Sequence, residues 1–173
     1  MKFAVLLFSI LLTMSAPCMG VSDDMDVVVS HGAAHLVFAH DSENGLDLKP
    51  FSGSVTIEHA KILFRKSAGD LTYLVIQIEG PTMLNGGSHP CGAGSEENIV
   101  WIKLLSREVV DLRTVLYYSC TFSIDGDGDP VKNDTLEIHY SSYVEDKDFI
   151  LRYDNKAPEL GFVLSMKPHE KEK

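Results

Sequence analysis

The chain has 173 residues, 45 % of them hydrophobic, with 15 basic against 25 acidic residues and a net charge of −10. So acidic a surface repels phosphate backbones and anionic headgroups, which argues against nucleic acid and against membrane-surface binding. The length fits one domain with a sizeable core.

The chain opens with a short positive segment, Met1-Lys2, followed by an apolar run from Phe3 to Met14 and a small-residue tail, Ser15-Ala16-Pro17-Cys18-Met19-Gly20. That order is the pattern of a secretory signal peptide. The apolar run spans 12 residues, short of the roughly 20 that a membrane-crossing helix needs. Cleavage is expected after Gly20, giving an exported protein, periplasmic or secreted, without a stable membrane span. Cys18 is an alternative lipidation site, although Ser15 and Pro17 fit that pattern poorly. Loss of Lys2 leaves 14 basic against 25 acidic residues, a net charge of −11.

The remainder, 21–173, reads as a single all-β domain with a polar tail from about residue 167. Val27-Val28-Val29 and the run from His35 to Ala39 come first. His40 to Gly53 is polar and reads as a connection, with Asn44-Gly45 its strongest turn signal. Val55 to His59 alternates, Ile62-Leu63-Phe64 continues the run, and Ser67 to Asp70 reads as a hairpin turn. Leu71 to Glu79 places Leu74, Ile76 and Ile78 on one face and Tyr73, Val75, Gln77 and Glu79 on the other. A long glycine-rich loop, Gly80 to Asn98, precedes a run from Ile99 to Leu105 that carries the single tryptophan, Trp101.

Val109 to Ile124 is the longest run, with Val109 to Arg113 readable either as strand or as one helical turn. Its alternation sets Leu116, Tyr118, Cys120, Phe122 and Ile124 against Val115, Tyr117, Ser119, Thr121 and Ser123. Leu136/Ile138/Tyr140, Phe149/Leu151/Tyr153 and Phe162/Leu164/Met166 complete the period-2 pattern. Such alternation belongs to half-buried antiparallel strands. It predicts a single-domain antiparallel β-sandwich or partly closed barrel.

Two cysteines survive signal removal, Cys91 and Cys120. An exporting compartment permits their pairing. The bridge closes about 30 residues and is worth roughly 3–4 kcal/mol in the chain-entropy model. With Cys120 expected on the apolar side of its strand, the bridge would pin the 80–98 loop to the sheet. Loops on rigid scaffolds carry binding residues. Met83, Leu84, His89, Glu96 and Glu97 are therefore the candidate contacts for a protein or cell-envelope partner. No catalytic residue is assigned. The alternative is a hydrolase using Cys91 as thiolate with His89 or a more distant histidine as base; against it, Glu96 and Glu97 follow and no helix is evident to lower the thiol's pKa.

The glycines match no phosphate-binding motif and no helix follows them. Asp125, Asp127 and Asp129, spaced by Gly126 and Gly128, set hard oxygen ligands at calcium-loop spacing. Pro130 stands where an EF-hand has its turn glycine, and Leu136 where it has its bidentate glutamate. Calcium is thus the one cofactor to consider, against a plain solvated hairpin tip. His31, His35 and His40 are spaced wrongly for chelation from a strand. Asn133-Asp134-Thr135 is a glycosylation sequon, meaningful only in a eukaryotic secretory pathway.

Asn85-Gly86-Gly87, Cys91-Gly92-Ala93-Gly94, Glu96, Asn98, Trp101 and Ser119-Cys120 form a pattern that continues in Tyr153-Asp154-Asn155, Pro158 and Gly161-Phe162. It resembles small exported bacterial proteins of unassigned activity. The resemblance implies a single disulfide-stapled domain and brings no activity with it.

Overall fold

A computed structural model describes residues 25–38, 41–52, 56–81, 95–126 and 131–168. Residues 1–24, 39–40, 53–55, 82–94, 127–130 and 169–173 lie outside these. The strands in chain order are β1 (Met25–Ser30), β2 (Ala33–Phe38), β3 (Asp41–Asp47), β4 (His59–Ala68), β5 (Leu71–Gly80) and β6 (Glu96–Leu105). They continue as β7 (Glu108–Ser119), β8 (Ile124–Gly126), β9 (Val131–Lys132), β10 (Thr135–Ser142), β11 (Lys147–Asp154) and β12 (Val163–Pro168). Two 3-10 turns, Lys49–Phe51 and Pro158–Leu160, interrupt them.

All pairings are antiparallel. Strands β1, β2 and β3 form a small sheet. A nine-stranded sheet runs β12-β11-β10-β8-β7-β6-β5-β4, with β9 added to β10. Its ends do not meet, so the expected sandwich holds and the barrel does not close.

The alternation in β5 and β6 explains the layering. Leu74, Ile76, Ile78, Val100, Ile102 and Leu104 pack with Ala34, Leu36 and Phe38 of the small sheet. Their alternating neighbours Tyr73, Val75, Ile99 and Trp101 pack with Leu136, Ile138, Phe149, Leu151 and Tyr153. Hence β5 and β6 are covered on both faces, which is why they read as nearly unbroken apolar runs. The large sheet turns back on itself between β7 and β8, bringing β10 and β11 over its own first half. A bulge in β4, between Ile62 and Phe64, lets Ile62 serve the first core and Phe64 the second.

Several sequence expectations are corrected. Residues 41–47, expected within a polar connection, form β3 beside β2. Gly45 sits where an added Cβ would lie 3.1 Å from Leu36 O. Its glycine allows close strand approach there and does not mark a hairpin turn. Thr56, Ile57 and Glu58 precede β4 and are not strand. Residues 109–113 are strand throughout. The long run ends at Ser119, and β7 carries a bulge at Tyr117, since Glu97 pairs with Tyr118 but Asn98 with Leu116. Both tyrosines thereby face the second core. Strand β12 is exposed along its whole length, with Phe162 buried just before it. Lys167 and Pro168, expected in the tail, still pair with β11.

Gly80, the last residue of β5, passes under the segment that leads into β4. A Cβ there would lie 1.6 Å from Thr56 O, and backbone cannot yield cheaply. Thr56 N–H donates to Pro81 O (3.2 Å) and Glu58 N–H to Glu79 O (2.9 Å). Gly80→Ala is expected to part these strands and lose about 1–3 kcal/mol or more, read as a lowered urea midpoint. Gly69 is the control. Its φ is +62° but nothing lies within 4 Å, so Gly69→Ala is expected to cost no more than about 1–2 kcal/mol through backbone strain.

The second core buries three tyrosines with raised pKa values. Burial pushes Tyr140 up to about 12, with Glu145 adding to it. Burial likewise takes Tyr153 to about 12, with Asp154 and Glu159 adding. Tyr117 is pushed higher, by burial first and then by Glu97. An unfolded tyrosine titrates near 10. Above that pH the unfolded chain sheds protons that the folded chain retains, so stability is full below about pH 10 and falls as pH rises toward 12. Denaturant midpoints taken from pH 9 to 12 should show that fall, with a shallower slope in Tyr140→Phe and Tyr153→Phe. A flat profile would contradict it.

Candidate functional site

The long connection begins and ends on neighbouring, hydrogen-bonded strands. Gly80 and Glu96 are directly opposite each other on β5 and β6. The loop is therefore 81–95, and Glu96, Glu97 and Asn98 belong to β6. This corrects the expectation that Glu96 and Glu97 are exposed contacts.

Glu96 is fully buried on the first-core face. Its Oε1 accepts from the Ser119 hydroxyl at 2.8 Å, and Ser119 Oγ accepts in turn from Phe122 N–H at 3.1 Å. Among the described residues, Oε2 of Glu96 has no hydrogen-bond partner. Asn98, two residues on and on the same face, donates from Nδ2 to Ser52 O at 3.1 Å.

Glu97 turns to the other face and is half-buried. Its Oε2 accepts the Tyr117 hydroxyl and Gln77 Nε2–H at 3.0 Å. Gln77 Nε2 also donates to Tyr117 Oη at 2.8 Å. Burial and the neighbouring carboxylate keep Tyr117 protonated, so it stands as donor to Glu97. The bulge at residue 117 supplies this hydroxyl, turning an extra side chain toward β6. Sequence alternation put Gln77 on the correct face, but the strand lying opposite is not written in a single sequence.

Cys120 follows β7 in an exposed turn, not on the apolar face expected of it. It is disulfide-bonded, and its partner lies outside the described residues. Met83, Leu84, His89 and Cys91 also lie outside them, as do Asp127, Asp129 and His40. Asp125 is exposed on β8 and pairs with Ser141 of β10. Among the described residues, no group of three His, Cys, Asp or Glu is arranged to hold a metal ion. His31 takes φ +52° in the β1–β2 turn, and His35 is half-buried in β2. Among the described residues, no helix is long and apolar enough to cross a membrane.

On the outer face of β10 and β11, Glu137 accepts from Arg152 Nε–H at 2.7 Å and pairs with His139 Nε2 at 2.8 Å. These neighbours hold its carboxyl below the usual range, His139 first. The group is exposed, so it reads as a solvated cross-strand cluster.

No protein-family model, no curated protein and no solved structure matches the chain. The fold class is an antiparallel β-sandwich, and function has to be argued from the site.

Proposed function

We propose that this is an exported, non-enzymatic protein of the periplasm or extracellular space that binds a protein or cell-envelope partner through residues 81–95. The observation supporting this reading is the Gly80–Glu96 pairing. It seats both ends of a long connection on the two most deeply buried strands, and binding residues concentrate on loops that a rigid scaffold positions. The buried Glu96–Ser119 contact ties the loop's C-terminal root to β7, one residue before Cys120. A Cys91–Cys120 bridge is part of the proposal and fastens the loop at its middle. Met83, Leu84 and His89 are the proposed contacts, while Glu96 and Glu97 brace the root.

Replacing residues 82–90 with a short Gly-Ser linker keeps Cys91 and every described strand. Capture of a partner from the native compartment is expected to vanish, with the far-UV spectrum and melting temperature retained. Undiminished capture overturns the reading.

A further inference from the structure

Strand β12 ends the large sheet. Among the described residues it pairs with β11 and with no other strand. The main-chain N–H and C=O groups on its open side stand at strand spacing, a template for one further strand. Leu164 and Met166 stand directly opposite Leu151 and Phe149 of β11 and share their face of the sheet. Leu151 and Phe149 are buried in the second core, whereas Leu164 is 49 % and Met166 67 % exposed. The apolar face therefore runs one strand past its cover. Leu160, Val163, Leu164 and Met166 are four of the ten large hydrophobic side chains exposed among the described residues. Apolar surface gathered at one place marks an interaction site, whereas scattered residues do not.

Charge and shape both specify the occupant. The segment Val163–Pro168 contains no acid and one base, Lys167. Lys167 stands opposite Asp148, and Arg152, opposite Val163, is held by Glu137 at 2.7 Å. The edge thus offers no unanswered charge, and it fits a strand that is itself neutral and apolar on one face. In a chain with 25 acidic residues, β12 is itself such a strand. The two ends of the edge differ in shape. Leu160, in the turn before β12, projects with 61 % of its surface exposed. At the far end, Met166, Lys167 and Pro168 with Glu145, Asp146 and Lys147 line a mostly apolar cavity of about 300 Å³. When two copies of this edge run antiparallel, the projecting end of each meets the hollow end of the other, the self-complementarity a two-fold contact requires.

We propose that β12 pairs with β12 of a second copy, antiparallel, across a two-fold axis at Ser165. With Ser165 opposite itself, every residue meets one from the same face of the sheet. Leu164 of each copy then faces Met166 of the other, Val163 faces Lys167, and Leu160 lies toward the other copy's cavity. No like charges stand directly opposite each other within the pair. Pro168 has no N–H and ends the ladder. The contact is one short strand wide, so the dimer is weak, half-formed at about 10–100 μM. Every residue of this edge lies outside 81–95, so self-pairing here and partner capture by that loop fail separately.

The test is sedimentation equilibrium of the intact exported protein, with no partner present, from about 1 μM to about 1 mM. The average mass should rise from one chain to two and stop there. Ser165→Cys should cross-link two copies on mild oxidation, because a residue on the axis meets its own counterpart within disulfide reach. The same change at Val28, exposed on β1, should not. Leu164→Lys with Met166→Lys sets like charges opposite each other and should weaken the dimer by about tenfold or more, with the far-UV spectrum retained. Leu164→Lys with Met166→Glu sets opposite charges there and should restore it. Leu160→Glu, which brings a carboxylate toward Glu145 and Asp146, should also weaken it. A single-chain mass over the whole range overturns the inference. So does a dimer that the lysine pair leaves intact, a lysine–glutamate variant no tighter than the lysine pair, or a Ser165→Cys protein that does not cross-link. Growth beyond two chains overturns it as well, since a two-fold contact closes on itself.

Discussion

Trp101→Ala is expected to destabilise the protein by about 3–5 kcal/mol, the usual cost of emptying a large aromatic site. Trp101 is 1 % exposed at the centre of the second core. It also closes the chain's last turn. Its Nε1–H donates to Pro158 O at 3.1 Å. The Arg113 guanidinium lies over the indole, 5.2 Å from the ring centre, and donates to Leu160 O and Phe162 O at 3.3 and 3.4 Å. Gly161 has φ +64°, and a Cβ there would lie 3.1 Å from Arg113 Nη1. Alanine at 101 thus removes core volume, leaves Pro158 O with the Gly161 N–H as its one remaining donor and takes the surface from under Arg113. Trp101→Phe retains most of the volume, and Pro158 O still accepts from Gly161 N–H at 3.2 Å, so it should lose only about 0.5–1.5 kcal/mol for the one hydrogen bond removed. Because this is the only tryptophan, unfolding of the variants has to be followed by circular dichroism. A loss below about 1 kcal/mol for alanine would show that the site collapses freely.

The parts of this architecture visible in the sequence are those governed by period-2 alternation. Leu136, Ile138 and Tyr140 read as one buried face, and they are. So do Phe149, Leu151 and Tyr153. The failures each have a local cause. Asn44-Gly45 is a strong turn dipeptide, but close packing against β2 uses the same glycine within a strand. Strand β7 ends at Ser119, so Cys120 falls in an exposed turn and not on the face that alternation shares between it and Tyr118. Glu96 and Glu97 look like loop acids because glycines precede them. Their roles depend on Ser119, 23 positions from Glu96, and on Gln77 and Tyr117, each 20 positions from Glu97. No window along the chain contains such a site.

Cys91→Ala and Cys120→Ala are each expected to lose roughly 3–4 kcal/mol, the value for closing about 30 residues of unfolded chain. Cys120 is disulfide-bonded, and the chain holds two other cysteines, Cys18 and Cys91. The two single variants therefore discriminate between partners. With a Cys91 bridge, the singles lose equal amounts and the double variant loses no more than either, because one covalent link is being removed. Reductant should bring the wild type to the same midpoint and leave the variants unmoved. A neutral Cys91→Ala beside a costly Cys120→Ala would assign the bridge to Cys18 and take the anchor away from the loop. The site of the damage matters as much as its size. Cys120 sits in an exposed turn next to the buried Glu96–Ser119 contact, whereas the two cores meet on β5 and β6. Opening the bridge should therefore leave the strand content intact at low temperature. Limited proteolysis should cut first within 81–95, and partner capture should fall before the fold is lost. A bridge that stabilised only the sheet would show the reverse order, with capture and global unfolding disappearing together.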